Sequence, residues 1–133
     1  QGLLAVHWNT IEDIPPSRRR TRHFASHRDG VRHGEAGFEG LFMDTVRELR
    51  EFSAAIGVPM ATMCLCWVLA QPGITSTVLG ARKPDQLLRN MRAATLNLGP
   101  AGIARLNEIS GPLKIAMGRN ADPWQGEETS RIG

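Results

Sequence analysis

The sequence predicts an α/β protein that is mostly helical and has one strand. Apolar residues recur at three- and four-residue steps from Phe38 to Ile56, which predicts a helix that Gly57 stops. The run 60–70 is apolar on nearly every side, as is typical of a helix buried among several neighbours. The β-branched run 74–79, bounded by glycines, predicts the strand.

Prolines mark the starts of two further helices. Pro84 precedes a predicted helix over 85–94, and Pro100 precedes one over 101–109, because proline suits the first turn of a helix. The residues from Ser110 onward are rich in glycine, proline and asparagine. We therefore expect an extended tail over 110–133.

The composition is that of a globular protein with 41% apolar and 22% charged residues. No stretch approaches the ~20 apolar residues of a membrane span, so we expect no membrane partner. Cys64 and Cys66 lie two apart in a helical pattern and cannot bridge each other, which indicates small buried hydrophobes. Without a disulfide framework or signal peptide, the expected compartment is the cytoplasm. A first residue of Gln1 rather than methionine suggests part of a longer protein.

Most of the net charge of +3 comes from one predicted loop. Arg18, Arg19, Arg20, Arg22, Arg28 and Arg32 lie there with His23, His27 and His33, against the single acid Asp29. A nucleic-acid patch, a phosphate-binding loop and a solvated basic loop all fit this run, and the solvated loop is favoured. A metal site is disfavoured, because the arginines that flank the histidines would repel a cation.

The segment Gly80-Ala81-Arg82 leads from the predicted strand into the helix that begins at Pro84. Glycine lets the backbone approach a ligand, the helix N-terminus offers unpaired amides, and arginine offers a bidentate fork. This arrangement suits a phosphate group. A tight turn with a solvated arginine fits the same residues.

Order and spacing add a resemblance to a known family. The run from Gly57 to Arg82, with Gln86 and Asn90 after it, resembles the last barrel helix, eighth strand and following loop of the aldo-keto reductases. The resemblance implies the C-terminal fragment of a (β/α)8 TIM barrel that binds NADP(H). It implies that Gly80 lies at the cofactor, that Arg82 binds the 2′-phosphate, and that Gln86 and Asn90 contact adenine or ribose.

Two N-terminal segments also resemble that family. Gln1-Gly2-Leu3-Leu4 is similar to the loop that crosses the cofactor pyrophosphate, which implies contacts from Gly2 and Leu3. The stretch 15–19 is similar to the Ser-Arg element of the same loop, with Arg19 the closer positional match. The resemblance therefore divides the chain into a cofactor-covering loop over 1–37, the last barrel helices, eighth strand and terminal helix over 38–109, and a tail.

The chain departs from the family pattern at two places. The family usually continues Gly-Leu-Leu with Thr-Gly-Lys-Tyr, whereas Ala5-Val6-His7-Trp8 lacks both the glycine and the lysine. Arg89 stands where many members place a glutamate facing the adenosine.

The resemblance implies hydride transfer to an aldehyde or ketone, with a tyrosine as general acid. The sequence contains no tyrosine, so we identify no catalytic residue and expect the chain alone to be inactive. We expect the strands that complete the barrel to come from a missing N-terminal part or from a second copy.

Two other functions fit parts of the sequence. A barrel that senses the cofactor without catalysis would share these segments. A helix-turn-helix module would join two helices at a glycine turn, but its recognition helix must expose polar side chains to base edges. The run 60–70 has almost none, so no nucleic-acid partner is expected.

Overall fold

The computed structural model describes residues 2–5 and 8–132. It has four α-helices within those ranges: α1 (Glu39–Ala55), α2 (Met60–Leu69), α3 (Pro84–Met91) and α4 (Gly99–Met117). Short 3₁₀ turns cover Pro16–Arg18, Arg92–Ala94 and Glu127–Thr129. The chain forms two compact units, unit 1 (Gln1–Arg47 with Ser110–Gly133) and unit 2 (Glu48–Ile109).

Unit 1 has an aromatic and aliphatic core. Phe24 and Phe42 meet edge-to-face with their ring centroids 5.5 Å apart, and Phe24 is fully buried. The other buried members of this core are Leu3, Trp8, Ile11, Ile14, Val46 and Leu113. The apolar stripe predicted for the first helix thus supplies part of this core through α1.

Unit 2 packs α2 against α3 and against the 3₁₀ turn Arg92–Ala94. α2 buries Met60, Thr62, Met63, Cys64 and Cys66. The prediction that both cysteines are buried is confirmed, and burial raises the pKa of the Cys64 thiol to about 12.

The predicted strand over 74–79 is wrong for this structure. That segment is irregular, and no strand occurs within residues 2–5 or 8–132. β-branched residues favour extended backbone, but a strand also needs a neighbour to receive its amides and carbonyls. Val78 is fully exposed and Ile74 is 44% exposed, so the side chains that would face a sheet lie open.

The predicted end of the last helix at residue 109 is also wrong. α4 continues through Gly111 and Pro112 to Met117, so the first part of the expected tail is helical. Pro112 removes one helical hydrogen bond. The burial of Leu113, and the packing of Met117 against the unit 1 core, offset that loss. The helix stops at Gly118, whose φ of +71° suits glycine.

The expectation of a solvated basic loop is wrong for two of its arginines. Arg22 is 5% exposed and pairs with Glu35. Arg28 forms a bidentate pair with Glu39, whose pKa is lowered chiefly by that hydrogen bond. These acids follow the loop in sequence, and a count of charge within the loop misses them.

No single helix in the described ranges has the length and hydrophobicity of a membrane span. Helices α1 and α2 reach that threshold only when they are taken together across a bend.

Candidate cofactor site

The turn before α3 presents Arg82 to solvent on an anchored backbone. The Arg82 N–H donates to Oε1 of Gln86 at 3.0 Å. A side chain in the first turn of the helix thus restrains a backbone amide that lies two residues before the helix begins. Lys83 is extended and Pro84 begins the helix, as the sequence predicted. Gly80 and Arg82 are both exposed. The guanidinium is thus available to a ligand while its backbone is restrained.

Gln86 and Asn90 lie four residues apart in α3 and therefore share one face of the helix. Both are partly buried, whereas Arg89 is exposed in the last turn. No side chain caps the N-terminus of α3, and Asp85 is the acidic residue of its first turn. Three residues of unit 2 thus form a row, in which the Arg82 N–H contacts the Gln86 side chain and Asn90 lies one turn further along the same face of α3.

The N-terminal segment forms a second group, in unit 1. Gly2 has a φ of +71°, and a Cβ built there would lie 3.4 Å from Nη1 of Arg18. Arg18 also lies 5.8 Å from the Trp8 ring centroid, within cation–π range. The Trp8 indole donates to the Leu3 carbonyl at 3.1 Å. Leu3 is buried in the core, so its side chain contributes to packing rather than to a ligand site.

Sequence reasoning missed Arg18 as the neighbour of Gly2. The Ser-Arg order at Ser17-Arg18 was the available signal, and positional matching favoured Arg19 instead. Arg19 lines a cavity of about 220 Å³ with His27, Arg28, Asp29 and Pro16. Its Nε is buried without a hydrogen-bond partner among the described residues, so it retains an unused donor.

Gln1, Val6 and His7 lie outside the described residues, so the part of the pyrophosphate-loop prediction that falls on them has no structural account. Within the ranges that are described, no group of three His, Cys, Asp or Glu side chains is placed to hold a metal ion. The candidate chemistry of both groups is therefore recognition of anionic and polar ligand groups by arginine, amide and backbone donors.

Two kinds of similarity to known proteins bear on these groups. A model of the aldo/keto reductase family matches residues 3–110. A protein of Schizosaccharomyces pombe named "Putative voltage-gated potassium channel subunit beta" is 29% identical over 122 residues, which cover 89% of this chain and 34% of that protein. A protein of Oryza sativa named "Probable voltage-gated potassium channel subunit beta" is 32% identical over 56 residues, covering 40% of this chain and 17% of that protein. The chain thus spans about a third of the length of the first relative. Because the family model covers most of the sequence, the chain belongs to the aldo/keto reductase family.

Proposed function

We propose that the intact protein is an NADP(H)-dependent oxidoreductase that reduces an aldehyde or ketone to an alcohol, and that this chain supplies its cofactor-binding part. The observation that carries this proposal is the row of Arg82, Gln86 and Asn90 in a member of the aldo/keto reductase family. An exposed arginine beside two amide side chains suits a phosphate next to a nucleoside.

Arg82 is the proposed source of cofactor preference. NADPH differs from NADH by a 2′-phosphate, and a guanidinium fork binds a phosphate through two parallel hydrogen bonds. Hydrogen bonds to charged groups contribute ~1.5–3 kcal/mol, or roughly 10- to 150-fold in affinity. Asp85 in the first turn of α3 would repel the same phosphate. The attraction between the phosphate and the Arg82 guanidinium therefore has to exceed that repulsion.

Residues of the N-terminal group in unit 1 have proposed roles at the pyrophosphate of the cofactor. Gly2, with its positive φ, lets the backbone approach the pyrophosphate closely, and Leu3 contributes through its backbone. Arg19, with its unused Nε donor, is proposed to contact the pyrophosphate. Arg18 restricts the space beside Gly2.

The proton-transfer part of the reaction belongs to the rest of the protein in this proposal. The residues named above would bind and orient the cofactor, whose nicotinamide would supply the hydride. General acid catalysis contributes ~10²–10⁴-fold, and the sequence contains no tyrosine to act as the acid. We therefore expect the isolated chain not to turn over a carbonyl substrate.

The barrel is likewise completed by other residues in this proposal. The N-terminal part of the protein, or a second copy, would supply the strands of the barrel and would cover the segment 74–79. Its exposed apolar side chains support this arrangement. A cytoplasmic location, expected from the two free thiols, stays a prediction.

Cofactor affinity tests the proposal. We expect the full-length protein to bind NADPH more tightly than NADH, and Arg82→Ser to lose roughly tenfold or more of its NADPH affinity with little change for NADH. The matched control is Arg119→Ser, which removes an exposed arginine outside the row. Equal effects of Arg82→Ser on both cofactors, or a wild type that prefers NADH, would contradict the assignment.

A non-catalytic barrel subunit that senses the cofactor is the second candidate. The names of the two relatives favour it, because both are described as potassium channel beta subunits. Steady-state assays of the full-length protein with NADPH and a panel of aldehydes separate the two functions. Turnover above background supports the reductase, and cofactor binding without turnover supports the sensor.

A further inference from the structure

A second basic site lies in unit 1, and none of the residues assigned to the cofactor lines it. A cavity of about 290 Å³ is lined by Arg20, Gly30, Arg32, Trp124 and Arg131. At ~30 Å³ for each water molecule in the liquid, this volume corresponds to about ten waters. The cavity is therefore large enough for a small organic anion.

The charge around the cavity is unbalanced. Arg20 and Arg32 are exposed, and neither has an acidic partner among residues 2–5 and 8–132. Arg131 pairs with Asp122, whose carboxylate cancels one of the three positive charges. Three arginines and one aspartate leave a net charge of +2, which an anion would neutralise.

The lining residues are held by the fold. Asp122 is fully buried, and its Oδ1 accepts the Trp124 N–H at 2.8 Å while its Oδ2 accepts Nε–H of Arg131 at 3.2 Å. This carboxylate therefore fixes the wall formed by Trp124 and Arg131. A Cβ at Gly30 would lie 2.7 Å from Nε of Arg20, so Arg20 passes directly over a residue without a side chain. The Asp122 contacts thus position the Trp124 and Arg131 wall before any ligand arrives, and Gly30 leaves room for the Arg20 side chain on the other side.

From this arrangement we propose that the cavity binds a small phosphate-bearing metabolite through Arg20, Arg32 and Arg131. Guanidinium groups suit phosphate because each offers two parallel donors to two phosphate oxygens. Three guanidinium groups around one space can reach several oxygens of the same ligand. Asp29, next to Gly30, lines a different cavity.

Binding of inorganic pyrophosphate to the full-length protein tests the proposal. Isothermal titration calorimetry at constant ionic strength in chloride should show saturable binding by the wild type. Arg20→Gln and Arg32→Gln should each weaken binding at least about tenfold, and the double variant should abolish it, because each removes a charged hydrogen bond worth ~1.5 kcal/mol or more. Arg20→Lys should be intermediate, since it keeps the charge and loses the fork.

Two controls separate this site from other positive charge. Arg119→Gln removes the same charge from an exposed position outside the cavity and should leave pyrophosphate affinity within twofold of the wild type. Saturating NADPH, which would fill the proposed cofactor site, should also leave pyrophosphate affinity unchanged, so that the outcome is independent of the cofactor assignment. Absence of saturable binding, or an equal loss in Arg119→Gln, would overturn the proposal. Circular dichroism of each variant checks that a loss of affinity is not a loss of fold.

Discussion

Nε of Arg22 donates to Oε1 of Glu35 at 2.8 Å, in an ion pair that is almost completely buried on the arginine side. The same guanidinium donates through Nη2 to the Met117 carbonyl at 2.8 Å and through Nη1 to the Asn120 carbonyl at 3.1 Å. One side chain thus donates to one oxygen of the Glu35 carboxylate and to two carbonyls, at the last residue of α4 and three residues beyond it. These hydrogen bonds connect the residues after α4 to the N-terminal loop.

Replacing Arg22 should destabilise the protein strongly. Arg22→Gln leaves Glu35 and the two carbonyls without their charged donor, and loss of one partner of a buried ion pair costs ~3–5 kcal/mol. Chemical denaturation of the full-length protein measures the free energy of unfolding. Arg47→Gln is the matched control, because it removes an exposed pair with Asp44 and should cost no more than ~1 kcal/mol. Equal effects of the two variants would show that the Arg22 contacts do not stabilise the fold.

Asp122 makes stability depend on acid pH. The hydrogen bond from Arg131, aided by the Trp124 N–H, lowers the pKa of this carboxyl to about 2 from an ordinary value of 3.8. A depressed pKa means that the stabilisation is complete above about pH 4 and disappears as the pH falls through 2. Denaturation midpoints measured from pH 7 to pH 2 check this. Asp122→Asn should be less stable than the wild type at pH 7, and the difference should narrow below pH 4. A constant difference over the range would rule out this titration.

Gly37 should not tolerate a side chain. Its φ is +78°, and a Cβ there would lie 2.4 Å from the Phe24 carbonyl carbon and 2.5 Å from the Ala25 nitrogen. Both atoms belong to the backbone and cannot rotate away, so Gly37→Ala adds a steric clash to an unfavourable φ. We expect a loss of at least ~2 kcal/mol in unfolding free energy. Gly34→Ala is the control, since a Cβ at Gly34 meets no atom within 4 Å and should change stability by ~0.5 kcal/mol or less. Similar losses for both variants would refute the argument.

The sequence predicted those features that depend on nearby residues. α1 and α2 were predicted to within a residue or two because periodic burial and glycine or proline stops act over a few positions. Arg82 and Gln86 were both named from the sequence as cofactor residues, and they lie four positions apart around the start of α3. The contact itself, from the Arg82 backbone to the Gln86 side chain, was not predicted.

Features that depend on distant residues were missed. The partners of Arg22 near α4 lie 95 and 98 positions away, so a basic run could not be recognised as partly buried. Pro112 and its neighbouring glycine indicated a break, and only the burial of Leu113 in the unit 1 core explains why the helix continues. The approach of Arg18 to Gly2 likewise depends on how a loop folds back.

The same dependence on distant residues leads to the last prediction, which concerns the segment 74–79. Its composition predicts a strand, yet the residues that the structure describes offer it no strand to pair with, and Val78 is fully exposed. If other residues complete the barrel in the intact protein, the amides of this segment should be hydrogen-bonded there and open in the 133-residue chain.

Hydrogen–deuterium exchange measured by mass spectrometry on both proteins distinguishes the two states. We expect exchange over 74–79 to be slowed by orders of magnitude in the full-length protein only, because hydrogen-bonded amides in the core exchange only when the structure around them opens. The exposed residues 127–129 should exchange rapidly in both and serve as the control. Rapid exchange over 74–79 in the full-length protein would mean that this segment is not a barrel strand.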